Sequence, residues 1–66
     1  MTATDDNSTT ITFRDQAENQ EGVVVIRRFD DKVAICLSLE HNGDIEALME
    51  TEVVQRLIEA LKSAIT

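Results

Sequence analysis

Hydrophobic and polar residues alternate along much of the chain before position 50, which is the pattern of half-buried β-strands. The segment from Lys32 to Glu40 shows it most clearly, with every second residue large and apolar. The segment after Gly22 differs, because four consecutive apolar residues, Val23 to Ile26, give both faces of a strand hydrophobic side chains. The pattern predicts four strands, at about 9–14, 22–29, 32–40 and 44–49.

After Thr51 the apolar residues recur at helical spacing and form one stripe, with charged residues on the other side. Thr51 is a good N-cap, so a helix is predicted at about 52–65. The apolar stripe consists of Val53, Val54, Leu57, Ile58, Leu61, Ala64 and Ile65. The predicted fold class is α+β, with a three- to four-stranded antiparallel meander followed by one amphipathic helix packed on one sheet face.

The register of the last two strands follows from the need to keep one apolar face continuous. A two-residue loop at Asn42-Gly43 would place charged residues of one strand beside apolar residues of the other. A three-residue loop, residues 41–43, pairs Leu39 with Ile45 and leaves Glu40 opposite Asp44, a mildly unfavourable like-charge pair. We therefore predict the three-residue loop, whereas the register of the Asp30-Asp31 turn stays open.

These registers divide the sheet into two faces of different character. The helix face, which the helix stripe is predicted to cover, comprises Val33, Ile35, Leu37, Leu39, Ile45 and Met49. The second face carries the candidate interface residues, which are Cys36 and Leu48, near Ala34, with two of the four residues Val23, Val24, Val25 and Ile26. An uncovered apolar face is unusual in a soluble monomer. It could be covered by Ile11 and Phe13 of the first strand, by a second copy of the chain, or by a different protein.

Length and charge limit the function classes. With 66 residues the chain holds one small domain, predicted at 9–66 after a disordered tail at 1–8, and its core is too small for much stability without a partner. The net charge is −7, of which residues 1–21 contribute −4. This charge disfavours direct binding to nucleic acid or to an anionic membrane. No signal peptide or membrane-spanning stretch is present, and together with a single cysteine this predicts a cytoplasmic setting.

No residue group resembles a catalytic or metal site. Cys36 lies mid-strand between apolar residues and is interpreted as a packing residue, and His41 is interpreted as an exposed turn residue. One cysteine and one histidine cannot provide a usual four-ligand zinc site, and no cofactor is predicted. We therefore expect a protein that is not an enzyme.

Three carboxylates, Asp44, Glu46 and Glu50, lie on one side of the last predicted strand. Their spacing could imitate a phosphate backbone, but edge strands commonly carry charge to block pairing with other sheets. Two functions remain. The first is a small acidic protein-interaction module, homodimeric, that binds a protein partner through a sheet face or edge. The alternative is an acidic inhibitor that occupies the basic groove of a nucleic-acid-handling enzyme, of the kind that phages and mobile elements encode.

Overall fold

The computed structural model describes residues 8–66, which form four antiparallel strands followed by one helix. The elements are β1 (Ser8–Asp15), β2 (Gln20–Phe29), β3 (Lys32–Leu39), β4 (Gly43–Glu50) and α1 (Thr51–Ile65). The strands form one sheet in the order β1-β2-β3-β4, and α1 packs on it. The predicted α+β meander with a C-terminal helix is confirmed. The predicted disordered tail lies outside the described residues except for Ser8, which begins β1.

The three turns of the meander each involve one residue with a positive φ. Asn19 (φ 54°) precedes β2, Asp30 (φ 64°) lies between β2 and β3, and Gly43 (φ 79°) opens β4. Glycine, asparagine and aspartate are the residues that adopt this left-handed region most readily. Phe29 pairs with Lys32, so the Asp30-Asp31 turn is a two-residue hairpin loop.

The predicted pairing of the last two strands is wrong by two residues. Leu39 lies opposite Gly43 instead of Ile45, so the loop consists of residues 40–42. A shift by two residues leaves every side chain on its own face, and therefore hydrophobic alternation cannot distinguish the two registers. The predicted Glu40–Asp44 pair does not form, and Ser38 lies opposite Asp44 instead.

The observed register also brings opposite charges together. Lys32 at the start of β3 lies opposite Glu50 at the end of β4, while its Nζ makes an ion pair of 3.2 Å with the adjacent Asp31. Opposite charges at directly facing positions stabilise an antiparallel pair, whereas the predicted register would have paired two carboxylates. The electrostatic difference favours the register that the structure shows.

The strand pairings assign every strand residue to one of the two faces. Besides its β3 and β4 residues, the helix face includes Ile11 and Phe13 of β1 and Val24 and Ile26 of β2. The second face combines apolar and charged residues, namely Arg14, Glu21, Val23, Val25, Arg27, Phe29, Lys32, Ala34, Cys36, Asp44, Glu46, Leu48 and Glu50.

The helix begins one residue earlier than predicted. Glu50 occupies the N-cap position in place of Thr51 and makes no side-chain capping hydrogen bond. The first turn lies over the helix face, where Thr51 lines a crevice together with Thr9, Ile26 and Val33. From there α1 packs against β3 and β4.

The hydrophobic core of the described chain is very small. Ala34, 6% exposed, is the only buried hydrophobic residue within residues 8–66, and none of the α1 residues is buried. Ile45, on the helix face, is 71% exposed. The expectation that the helix stripe covers this face is therefore met only in part, and the uncovered apolar surface is larger than the sequence indicates.

Candidate functional site

A shallow depression on the second face is the first candidate interaction surface. Its floor is Ala34, its sides are Phe29 and Leu48, and its volume is about 320 Å³. The Arg27 side chain reaches across β3 and donates a hydrogen bond of 2.8 Å to Glu46 Oε2. The depression therefore joins an apolar floor to one ion pair on its rim, an arrangement that suits a partner's apolar side chain.

The candidate interface residues do not all share this face. Val23, Val25, Cys36 and Leu48 lie on the second face, where Leu48 is the most exposed of them. Val24 and Ile26 point to the helix face. Two of the four apolar residues thus lie on each face of the sheet. β2 is a central strand, and its side chains alternate between the two faces.

One of the three covers considered for the second face is excluded. Ile11 and Phe13 lie opposite Val24 and Gly22, in the same sheet and on the helix face. They extend the helix face as its outermost strand and cannot fold over the second face. A second copy or a different protein remains as a cover.

The helix face and the α1 stripe also carry exposed apolar residues. Ile11 is 49% exposed, and Phe13 and Leu37 are each exposed over a little more than a third of their surface. Along α1 the exposure is greatest at the end, reaching 56% at Leu61 and 83% at Ile65. Sequence patterning identifies the residues of the helix face and of the α1 stripe as apolar, but it does not show that they are exposed in the described fold.

The acidic row lies where the sequence placed it, on the second face of β4, an edge strand. Asp44, Glu46 and Glu50 are all exposed, but Glu46 is bound to Arg27, and the exposed Leu48 separates it from Glu50. Among residues 8–66, the carboxylates of Asp44 and Glu50 therefore make no hydrogen bond or ion pair, whereas that of Glu46 does. Charge on an edge strand also discourages pairing with another sheet.

The distribution of charge differs from the sequence interpretation. The sequence places more than half of the negative excess in residues 1–21, a segment that includes the predicted disordered tail. Residues 8–66 hold eleven acidic and six basic residues, a net charge of −5, and Asp15, Glu18 and Glu21 belong to β1, β2 and the turn between them. Most of the acidic excess is consequently carried by the folded part of the chain.

Gln20 is the central residue of a polar network that sequence reasoning missed. Its side chain is fully buried, and its Nε2 donates to Asp15 Oδ2 at 2.8 Å and to Asn42 Oδ1 at 2.6 Å. Its Oε1 accepts from the His41 backbone N–H at 2.7 Å. The network ties the β1–β2 turn to the β3–β4 turn. Alternation extended backward from Ile26 through Gly22 places position 20 on the helix face. This was the one feature of the sequence that could have indicated burial of Gln20.

This network perturbs the ionisation of Asp15. The Gln20 side chain, followed by the backbone N–H groups of Ala17 and Glu18, donates to the carboxylate and holds the pKa of Asp15 below its ordinary value of 3.8. Because the folded pKa is depressed, these bonds stabilise the fold above the unfolded pKa and lose their effect as pH falls through the folded pKa.

We expect Asp15→Asn to make the stability less dependent on pH in the acid range. Urea unfolding of wild type and variant at several pH values, from about 6 down to about 3, measures the effect. Asp44→Asn is the control, because no hydrogen bond within residues 8–66 involves the Asp44 side chain. If the free energy of unfolding of Asp15→Asn fell with decreasing pH as steeply as that of the wild type, Asp15 would not be the source of the acid sensitivity.

The remaining candidate residues are isolated from one another. Cys36 is half-buried in β3 between Val25 and Glu46 on the neighbouring strands, and the His41 side chain is exposed in the β3–β4 loop. In the described part of the chain, no three His, Cys, Asp or Glu side chains are grouped as metal ligands would be. No helix in that part is long and apolar enough to cross a membrane.

Comparison with known proteins leaves the surfaces as the basis for interpretation. No protein-family model, curated protein or solved structure matches the chain.

Proposed function

We propose that the protein is a small acidic interaction module without enzymatic activity, which works as a homodimer in the cytoplasm and binds a protein partner. The observation that carries the proposal is the exposure of apolar residues on both α1 and the helix face, in a chain whose only buried hydrophobic residue within 8–66 is Ala34. A domain with so little buried apolar area gains little free energy from folding alone. Association supplies the missing burial.

The second face supports the partner-binding part of the proposal. Interfaces between proteins that associate reversibly combine apolar and polar residues, and this face does so around the depression floored by Ala34. Arg27 and Glu46, both about half exposed, are available to exchange their mutual ion pair for contacts with a partner.

A second candidate function, an acidic inhibitor of a nucleic-acid-handling enzyme, is favoured by the acidic excess in the folded part of the chain. Asp44 and Glu50 are exposed carboxylates on an ordered edge strand. The Arg27–Glu46 ion pair argues against it, because a mimic of nucleic acid needs carboxylates that are free to meet cations. Strong, salt-sensitive binding to a basic nucleic-acid-binding protein, lost on replacing Asp44, Glu46 and Glu50 with Ser, would favour this function over the first.

We expect the protein to be a dimer in solution, with twice the chain mass of 7.4 kDa, at micromolar concentrations. Light scattering over a dilution series measures this. The midpoint of thermal unfolding should also rise with protein concentration, because folding and association are coupled. A folded monomer of unchanged stability across the series would refute the homodimer.

A further inference from the structure

Within residues 8–66, the part of the helix face formed by β1 and β2 is only slightly covered: of α1, Thr51 lies near Thr9 and Ile26. α1 packs against β3 and β4, and Ile11 and Phe13 on β1 remain exposed. Gly22 of β2, which lies beneath the Phe13 ring, adds no side chain to fill the surface. An exposed apolar surface results, bounded on one side by the edge of the sheet.

The helix stripe is the chain's own complement to that surface. Val53, Leu57, Ile58, Leu61 and Ile65 are each exposed over more than a third of their surface. A helix of 15 residues is about 22 Å long, and a strand of 8 residues is about 26 Å long. A stripe of this length therefore matches the length of β1.

The scarcity of charged residues on the helix face indicates which kind of partner covers it. The middle of this face holds no charged residue, and its charged residues, Asp15 and Arg28, lie at the two ends. Permanent homodimer interfaces are depleted in charge and more apolar than transient ones. The second face, in contrast, carries seven charged residues of both signs, a composition typical of reversible rather than permanent interfaces.

Because the hydrophobic core is so small, a partner that binds only transiently is excluded as the cover of the helix face. A transient foreign partner would leave the α1 stripe and the helix face exposed between encounters, in a chain with only Ala34 buried among the apolar residues of its described part. A second copy is present wherever the first is made. Because both surfaces belong to one chain, two-fold symmetry buries each of them twice.

We propose that two copies pack helix face to helix face, with the α1 stripe of each lying over β1 and β2 of the other. This inference rests on the homodimer proposed above and adds its interface. It leaves the second face of each copy directed outward, so that a dimer presents two identical depressions to protein partners.

Leu61→Glu and Leu48→Glu form a matched pair of variants that tests the interface. The two leucines are similarly exposed, at 56% and 52%, but Leu61 lies in the helix stripe and Leu48 on the second face. Leu61→Glu should raise the dimer dissociation constant about 100-fold or more, because the two-fold dimer loses the leucine contact twice. Leu48→Glu should leave it unchanged. Dissociation of the dimer by Leu48→Glu alone would overturn the proposed interface.

Isotope-filtered NMR on wild-type dimer mixed from labelled and unlabelled chains provides a test that needs no variant. We expect contacts between chains from the methyl groups of Leu61 and Ile65 to Ile11 and the ring of Phe13. Contacts between chains confined to the second face would overturn this interface while leaving the homodimer intact. A monomeric mass at all concentrations would overturn both, so the two failures are distinguishable.

Discussion

Replacing Gln20 with Ala is expected to lower the free energy of unfolding by about 3 kcal/mol, because three hydrogen bonds in a fully buried site are lost together. The substitution removes the donor to Asp15 and Asn42 and leaves the His41 N–H without its acceptor. It also removes the link between the two turns at one end of the sheet. Urea unfolding at equal protein concentrations of variant and wild type measures the loss.

Gln16→Ala is the matched control for this prediction. Gln16 lies in the neighbouring turn, is exposed, and donates one hydrogen bond of 3.3 Å to the Arg14 carbonyl oxygen. A single exposed hydrogen bond contributes much less, so its removal should change stability by about 0.5 kcal/mol or less. Equal effects of the two substitutions would show that the buried network does not stabilise the fold.

Gly22→Ala is expected to destabilise the fold by about 1 kcal/mol, the low end of the cost of overpacking, because the displaced Phe13 ring lies partly exposed on an edge strand. Gly22 pairs with Phe13 across β1 and β2, and a Cβ at position 22 would overlap the Phe13 ring. The ring therefore has to leave its position over the glycine. Thermal or urea unfolding at matched protein concentration measures the cost.

A double-mutant cycle separates this steric cost from any effect on the backbone. In a Phe13→Ala background the overlap is absent, so Gly22→Ala should cost nothing or stabilise slightly, since alanine loses less backbone entropy than glycine on folding. A cost of the same size in both backgrounds would exclude the contact with Phe13 as its cause. Gly43→Ala provides a contrast, because the space around Gly43 is open and any cost there arises from its positive φ.

Alternation and helical spacing were sufficient to predict the elements and the class of the fold. Val33, Ile35, Leu37 and Leu39 share one face in the structure because a strand turns its side chains to opposite sides at every residue. The same rule did not fix the β3–β4 register, because a shift of the pairing by two residues leaves each side chain on the same face of the sheet. Pairing of Lys32 with Glu50 across the strands distinguishes the registers.

The candidate surfaces were predictable in composition but not in location. The apolar run from Val23 to Ile26 indicates a strand with two apolar faces, but only the observed pairings show that Val23 and Val25 lie on the second face. Gln20 was missed because a polar segment beside a turn is typical of a loop. Its burial depends on Asn42 and His41, which are more than twenty positions away in the chain.

The sequence by itself determined which side chains can share a face, because that depends only on the local geometry of strands and helices. It predicted four strands, an amphipathic helix, an acidic row on the last strand and an apolar surface in need of cover. The tertiary structure decided where that surface is. Sequence reasoning placed it on the face opposite the helix, whereas the structure leaves the α1 stripe and the β1 side of the helix face exposed as well. How far a helix covers a sheet depends on the path of the chain after β4, a property of packing between distant residues that no local pattern encodes.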